Sequence, residues 1–269
     1  MRTYKINSRA KINLNLNVIG KSKKYHYIES LVCFINLSDK IYISKLNSKY
    51  HKVKFKGKFS KNISKKNTIT KLLSLLDKDN ALKKKYKIVI KKEIPSQSGM
   101  GGGSMNAANL LSYFYKKKLI NMKQLKKYSL KIGSDVILGL NSRPKILYKD
   151  GSIKEIANIK KYHILIIKPF FGCSTKKIYS LNKTFSKSEF NKTKKNIVKN
   201  VIINGKNDLE KSAFKLYPAL KKIKNLLDKN KEANFVRMTG SGSAIIMYFN
   251  SNKFAKNALK IYKRKLNNC

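Results

Sequence analysis

The chain has 269 residues, 42% of them hydrophobic, enough to bury one or two ordinary cores and too many for a disordered tail. Its 62 Lys+Arg against 13 Asp+Glu give a formal net charge of +49, which points first to an anionic partner such as nucleic acid. Only five of these bases are arginine, the residue whose planar fork reads phosphates and bases. Lysine, isoleucine and asparagine, all with AT-rich codons, make up 115 of the 269 residues, so codon bias accounts for much of the charge.

The N-terminal stretch Ala10 to Val18 alternates polar and apolar residues, as a half-buried strand should, with Lys11, Asn13, Asn15 and Asn17 on one face. Shorter alternating runs at Lys40 to Lys45, Lys52 to Lys56 and Tyr86 to Lys91 predict further strands. Between the last two, Ile69, Leu72, Leu73, Leu75 and Leu76 share one side of a helix over Asn67 to Asp79. After Pro95 a loop rich in serine and glycine, Ser96 to Ser104, runs into a helical pattern that starts at Ala107. A second helix near Asn121 to Ile132 stops at Gly133. A turn at Lys149 to Ser152 marks a change of pattern, and the domain boundary is drawn there, giving domains 1–155 and 156–269.

The second half opens with a buried strand, Ile164 to Ile167, and a helix after Ser174. Helical patterns cover Phe190 to Ile203 and Asn207 to Leu227, the latter broken or kinked at Pro218. Strands at Phe235 to Met238 and Ala244 to Phe249 flank a second glycine loop, Thr239 to Ser243, and a helix closes the chain. Strands and helices interspersed in this way make the class α/β or α+β. Cys33, Cys173 and Cys269 are far apart and lack a CxxC pair, so they are expected to be reduced thiols. No apolar run reaches the length of a membrane span and no signal-type segment leads the chain, so a soluble, cytoplasmic protein with no membrane partner is expected.

The strongest chemical signal is the glycine loop entering a helix. Glycines let the backbone approach a ligand closely, and the free N–H groups at a helix start, with the positive end of its dipole, suit phosphate. No Lys-Ser/Thr follows the glycines, so this is not a Walker A loop, and the protein-kinase HRD and DFG elements are absent. The bland alternative is a flexible turn. By the same standard Asp135 could be a helix cap, Lys11 one solvated lysine among 57, and Gly240-Ser241-Gly242 a tight hairpin.

Four segments in fixed order narrow the choice: Ala10-Lys11-Ile12-Asn13-Leu14 followed by Tyr25-His26; Pro95 to Ser104; Gly133-Ser134-Asp135-Val136; and Arg237 to Ser243. This order resembles the GHMP superfamily of small-molecule kinases over nearly the whole chain. The early segments, with the box Asn207-Asp208-Leu209-Glu210, are similar to the branch that acts on 4-diphosphocytidyl-2-C-methyl-D-erythritol in the non-mevalonate isoprenoid route. The resemblance implies an α+β, two-domain GHMP kinase fold, its N-terminal domain similar to a ribosomal-protein fold, with the active site in the cleft between the domains. It implies transfer of the ATP γ-phosphoryl group to a hydroxyl of the methylerythritol moiety, with Mg²⁺ accompanying the nucleotide and no protein metal ligands assigned. The chain would act as a monomer or homodimer and bind no specific nucleic acid. Lys11 and Asp135 match the catalytic pair. Pro95, Ser96, Gln97, Ser98, Gly99, Met100, Gly101, Gly102, Gly103, Ser104 and Met105 would enclose ATP, with Asn67 and Lys92 near the adenosine. Asn13, Tyr25, His26 and Tyr179 match the residues that hold the cytidylyl substrate, and Gly240, Ser241 and Gly242 the supporting loop. Departures from the family pattern are Ser96-Gln97-Ser98 where small residues are usual, Met105 in place of a serine, and Lys23-Lys24 before the Tyr-His pair. The alternatives are a kinase of the homoserine or mevalonate type and, from the charge, an RNA-binding protein.

Overall fold

Local sequence signals set most of the elements. A computed structural model describes residues 2–23, 25–157, 159–190 and 201–266. In it Asn67 caps α1 (Thr68–Lys78), its side chain accepting from the N–H groups of Ile69 and Thr70 while Thr70 closes a capping box. Asn121 and Gln124 do the same for α3 (Met122–Ile132). Each cap contributes about 1 kcal/mol. Between them α2 (Gly102–Lys116) begins five residues before the apolar pattern, so Gly102, Gly103 and Ser104 form its first turn and are not loop. The hydrophobic pattern could not report this, because glycine and serine carry no apolar signal.

Two compact units emerge, interleaved along the chain: residues 1–11, 34–96 and 101–142 form the first, and 12–33, 97–100 and 143–269 the second. The strand β3 (His26–Leu46) belongs to the second unit up to Cys33 and to the first from Phe34. Only its end, Lys40 to Lys45, was legible as alternation, since the segment Glu29 to Ser38 has no regular period.

In the first unit the end of β3 pairs antiparallel with β5 (Lys85–Lys91), Lys40 opposite Lys91, and β4 (Lys52–Lys56) runs parallel to β5. Here β1 (Tyr4–Asn13) enters the unit up to Lys11. Ile41, Ile43, Ile88 and Ile90 from the strands pack with Leu72, Leu76, Leu111, Phe114 and Tyr128 from the three helices into one core. A 3₁₀ turn, Ile137–Leu140, follows α3.

In the second unit β2 (Asn17–Lys21) pairs with the start of β3, and β6 (Lys145–Leu147) joins β3 to β7 (Ile153–Glu155). A separate antiparallel sheet has β8 (His163–Ile167), β10 (Ile245–Phe249) and β9 (Phe235–Met238) in that order. Helices α4 (Thr175–Leu181), α5 (Leu209–Leu216), α6 (Pro218–Asp228) and α7 (Asn252–Lys265) accompany it, and Leu209, Leu220, Leu227, Met247 and Phe249 share its core. Pro218 takes the first position of α6, dividing the predicted 207–227 pattern into two helices at Tyr217.

The predicted half-buried strand over Ala10 to Val18 is corrected. The chain leaves β1 after Asn13 and resumes in β2 at Asn17, and every residue from Ala10 to Val18 is buried, polar ones included. The expected helix over Phe190 to Ile203 lies mostly outside the described residues, as do Lys24 and Cys269. Cys33 and Cys173 are free thiols. Among the described residues no helix is long and apolar enough to cross a membrane.

Candidate active site

In the first unit Lys11 and Asp135 meet, with Lys11 Nζ 3.2 Å from Asp135 Oδ2. The lysine side chain is only 6% exposed and the aspartate 32%, so the carboxylate keeps one face open. Asp135 is not the cap of the 3₁₀ turn; Val136 holds that position. The Lys11 stem passes beneath the start of α2: Gly101, its N-cap, has a left-handed φ of 66°, and a Cβ there would stand 2.9 Å from Lys11 Cγ. A side chain at Gly101 would therefore displace Lys11 as well as strain the cap. The N–H groups of Gly102, Gly103 and Ser104 lack partners one turn back, and with the helix dipole they make this end, beside the ion pair, one that suits an anion.

Lys92 lies at the same first turn: a Cβ on Gly102 would be 3.2 Å from its Nζ. Lys92 is 5% exposed, and its ammonium is bonded to Asp39. Asn67 spends its side chain on α1, its Oδ1 capping the helix and its Nδ2 donating to the carbonyls of Ser64 (2.9 Å) and Lys65 (3.4 Å). Thr68, the next residue, donates to Gly103 O at 3.0 Å and so ties α1 to the first turn of α2. Pro95 is half-buried and Ser96 exposed, whereas Met105 is fully buried; a Cβ on Gly139 would come within 2.7 Å of its sulfur. The departure at Met105 is thus a core side chain.

The second unit holds residues 97–100 of the glycine segment and packs them on the second glycine loop. Ser243 N donates to Gln97 O and Ala244 N to Ser98 O, each at 3.2 Å. Gly99, at φ +75°, approaches so closely that a Cβ would fall 2.0 Å from Thr239 O. Met100 is fully buried. Thr239 Oγ1 in turn accepts from Asn13 N at 3.0 Å, and Asn13 Nδ2 donates to Ser30 Oγ at 2.8 Å. The loop Gly240, Ser241 and Gly242 does turn a hairpin between β9 and β10, and Ser241 Oγ also bonds Thr175 Oγ1 at 2.7 Å.

His26 and Tyr179 come together in this unit, ring centroids 5.0 Å apart and tilted at 48°. Tyr25, beside His26, is 71% exposed, leaving its ring face available. Burial, with a smaller contribution from the Lys21 charge, lowers the His26 pKa, and His26 Nε2 is buried without a hydrogen-bond partner among the described residues. A neutral imidazole with an unused polar atom beside aromatic faces suits the edge of a flat heteroaromatic ring.

Two sets of residues escaped assignment from sequence. Asn207 Nδ2 donates to Met238 O and Gly240 O, both at 2.8 Å, and Glu210 Oε1 accepts from Met238 N at 2.7 Å, so the Asn207 to Glu210 box braces the second glycine loop. Asp39 was overlooked entirely; its signal was a carboxylate, rare in this chain, closing the run Ile35 to Ser38. Among the described residues no three His, Cys, Asp or Glu side chains gather where a metal ion could be held.

Comparison with known proteins matches residues 67–144 to the GHMP kinases N terminal domain and 194–268 to the GHMP kinases C terminal region. A 4-diphosphocytidyl-2-C-methyl-D-erythritol kinase of Pelagibacter ubique is 53% identical over 100% of this chain and 97% of its own length. The enzyme of that name from Ehrlichia chaffeensis is 33% identical over 97% and 94%. A crystal structure of 4-(cytidine 5'-diphospho)-2C-methyl-D-erythritol kinase superposes with a TM-score of 0.79 at 23% identity, covering 97% of this chain and 96% of the other, and so bears out the fold. Homoserine kinase from Cytophaga hutchinsonii follows at 0.66 and 15%, over 99% and 91%. With the Lys11–Asp135 pair beside a glycine-led helix and these full-length likenesses, the chain belongs to the GHMP kinases, in the 4-diphosphocytidyl-2-C-methyl-D-erythritol kinase family.

Proposed function

We propose that the chain transfers the γ-phosphoryl group of ATP to the 2-hydroxyl of 4-diphosphocytidyl-2-C-methyl-D-erythritol, a step of the non-mevalonate route to isoprenoid precursors. The Lys11–Asp135 pair beside the N-terminal turn of α2 carries this reading, in a chain 53% identical along its length to a kinase of that name. The acceptor hydroxyl gives its proton to Asp135 as its oxygen bonds the γ-phosphorus, and the bond from that phosphorus to the β,γ-bridging oxygen breaks to release ADP. Lys11 orients the hydroxyl and offsets charge on the transferring group. The transition state is loose, so positioning and charge stabilisation do most of the catalysis.

The first-turn N–H groups of α2 receive the phosphates, with the backbone of residues 95–104, the Asn67 backbone at the start of α1, and Lys92 completing the nucleotide site. ATP enters as its Mg²⁺ complex; Mg²⁺ keeps several waters and binds largely through substrate phosphates, so a protein cage is not required. Tyr25 and Tyr179 stack on the cytosine, His26 bonds its edge, and Asn13 faces the substrate. Both substrates are phosphate anions that do not cross membranes unaided, which fits an enzyme acting in the cytoplasm, as a monomer or homodimer.

Asp135→Asn keeps the size of the side chain and removes the proton acceptor. Turnover should fall on the order of a hundredfold to ten-thousandfold, the usual share of a general base, while ATP binding by calorimetry stays near that of the unaltered protein. Full turnover of this variant in an ADP-release assay with the cytidylyl substrate would sink the assignment.

A further inference from the structure

Among the described residues only two acids, Glu29 and Asp39, are buried, and Asp39, in the first unit, is wholly inaccessible. Its carboxylate has four donors. Oδ1 accepts from the N–H groups of Glu93 at 2.8 Å and Ile94 at 2.9 Å; Oδ2 accepts from Asn106 Nδ2 at 2.8 Å and from the Lys92 ammonium. Asn106 stands on α2, and the Lys92 ammonium lies against Gly102 in the first turn of the same helix. One carboxylate thus joins β3, the segment that follows β5, and the anion-receiving end of α2.

A buried ion pair is poor evidence for stability, because desolvation of both charges offsets their attraction. Two consequences of this pair bear on the site. A lysine head on a flexible four-carbon stem has no fixed position of its own, and a buried, fully bonded carboxylate supplies one. The lysine in turn cancels a negative charge that would otherwise stand where the helix must receive phosphates.

We propose that Asp39 is a positioning residue of the nucleotide site, fixing the Lys92 ammonium at the first turn of α2 so that it meets the bound nucleotide in one place. The inference rests on the ATP site proposed above. ATP binding is measured by calorimetry without acceptor, alongside thermal unfolding. Asp39→Asn retains an oxygen for the Glu93 and Ile94 N–H groups and removes the charge that holds Lys92. It should weaken ATP binding about tenfold, the scale of a charge-assisted hydrogen bond, and in a Lys92→Met background the same substitution should cause no further weakening. Equal weakening in both backgrounds would reveal a merely structural role and overturn the proposal, as would unaltered binding by Asp39→Asn. If that variant fails to fold, Lys92→Arg is decisive: it keeps the charge but moves the head, and ATP binding equal to that of the unaltered protein would overturn the proposal. Absence of ATP binding by the unaltered protein would overturn the ATP site itself, a distinguishable result.

Discussion

His26 was marked by its sequence neighbour Tyr25, but its chemical state is set by its surroundings. Burial lowers its pKa from 6.5, so the ring stays neutral further into acid than a free histidine would. If neutral His26 bonds the cytosine edge, KM for the cytidylyl substrate should rise on acidification with its midpoint below pH 6.5, the ordinary histidine value, as the imidazolium forms. A rise already complete by pH 6.5 would contradict this, and His26→Gln, neutral at every pH, should remove the dependence. Arg237 makes the complementary case. It is 4% exposed and donates to the carbonyls of Leu14, Ile202 (3.3 Å) and Ile203 (3.4 Å). One of the chain's few arginines is thereby committed to backbone, with its pKa lowered chiefly by burial. Nothing in its residue type separated it from a phosphate binder.

At the scale of elements, periodicity reports that a strand has two faces, not which of them meets water. The face carrying Asn13 and Asn15 is buried and partly partnered: besides the Asn13 bond, Ser30 Oγ donates to Asn15 O and Leu31 N to Asn15 Oδ1, each at 2.6 Å, while Asn15 Nδ2 and the Asn17 side-chain amide have no partner among the described residues. The two glycine loops were legible as separate signals, whereas their packing was not, since residues 97–99 and 239–244 are remote in sequence. Gly99→Ala tests that packing. It combines a positive φ with a clash against Thr239 O and should cost roughly 2–4 kcal/mol in urea unfolding, strain added to overpacking. Gly151→Ala, at φ +81° with nothing within 4 Å, isolates the strain alone and should cost about 1 kcal/mol. Equal losses for the two would argue against the close approach.

For the whole molecule, the charge of +49 has few local partners, since only 13 acids are available. Pairs such as Lys91–Glu93 (3.3 Å) and Arg143–Glu155 (3.2 Å) are open to solvent, where water and salt screen the attraction and leave little net stabilisation. The remaining lysines are spread along the chain with no focused basic segment, so the field expected of them is diffuse and without sequence selectivity. Oligonucleotides should therefore bind without sequence preference, and fluorescence anisotropy should show the binding lost between about 0.05 and 0.2 M salt. Tight, sequence-selective binding at the higher salt would give the charge a function of its own.

The glycine segments were legible in the sequence because they depend on residue type at local spacing, as were helix starts such as Asn67 and Asn121, whereas the family and the proposed catalytic pair followed from the resemblance of whole motifs in their order. The tertiary structure alone decided that α2 begins at Gly102 and that the Asn13 face is buried. It also decided that the Asn207 box braces the second glycine loop, and that Asp39 and Lys92 form a buried pair. The last three rest on contacts between residues far apart in the chain, where burial and partner geometry, not residue identity, set the energy, whereas the start of α2 was hidden because glycine and serine carry no apolar signal.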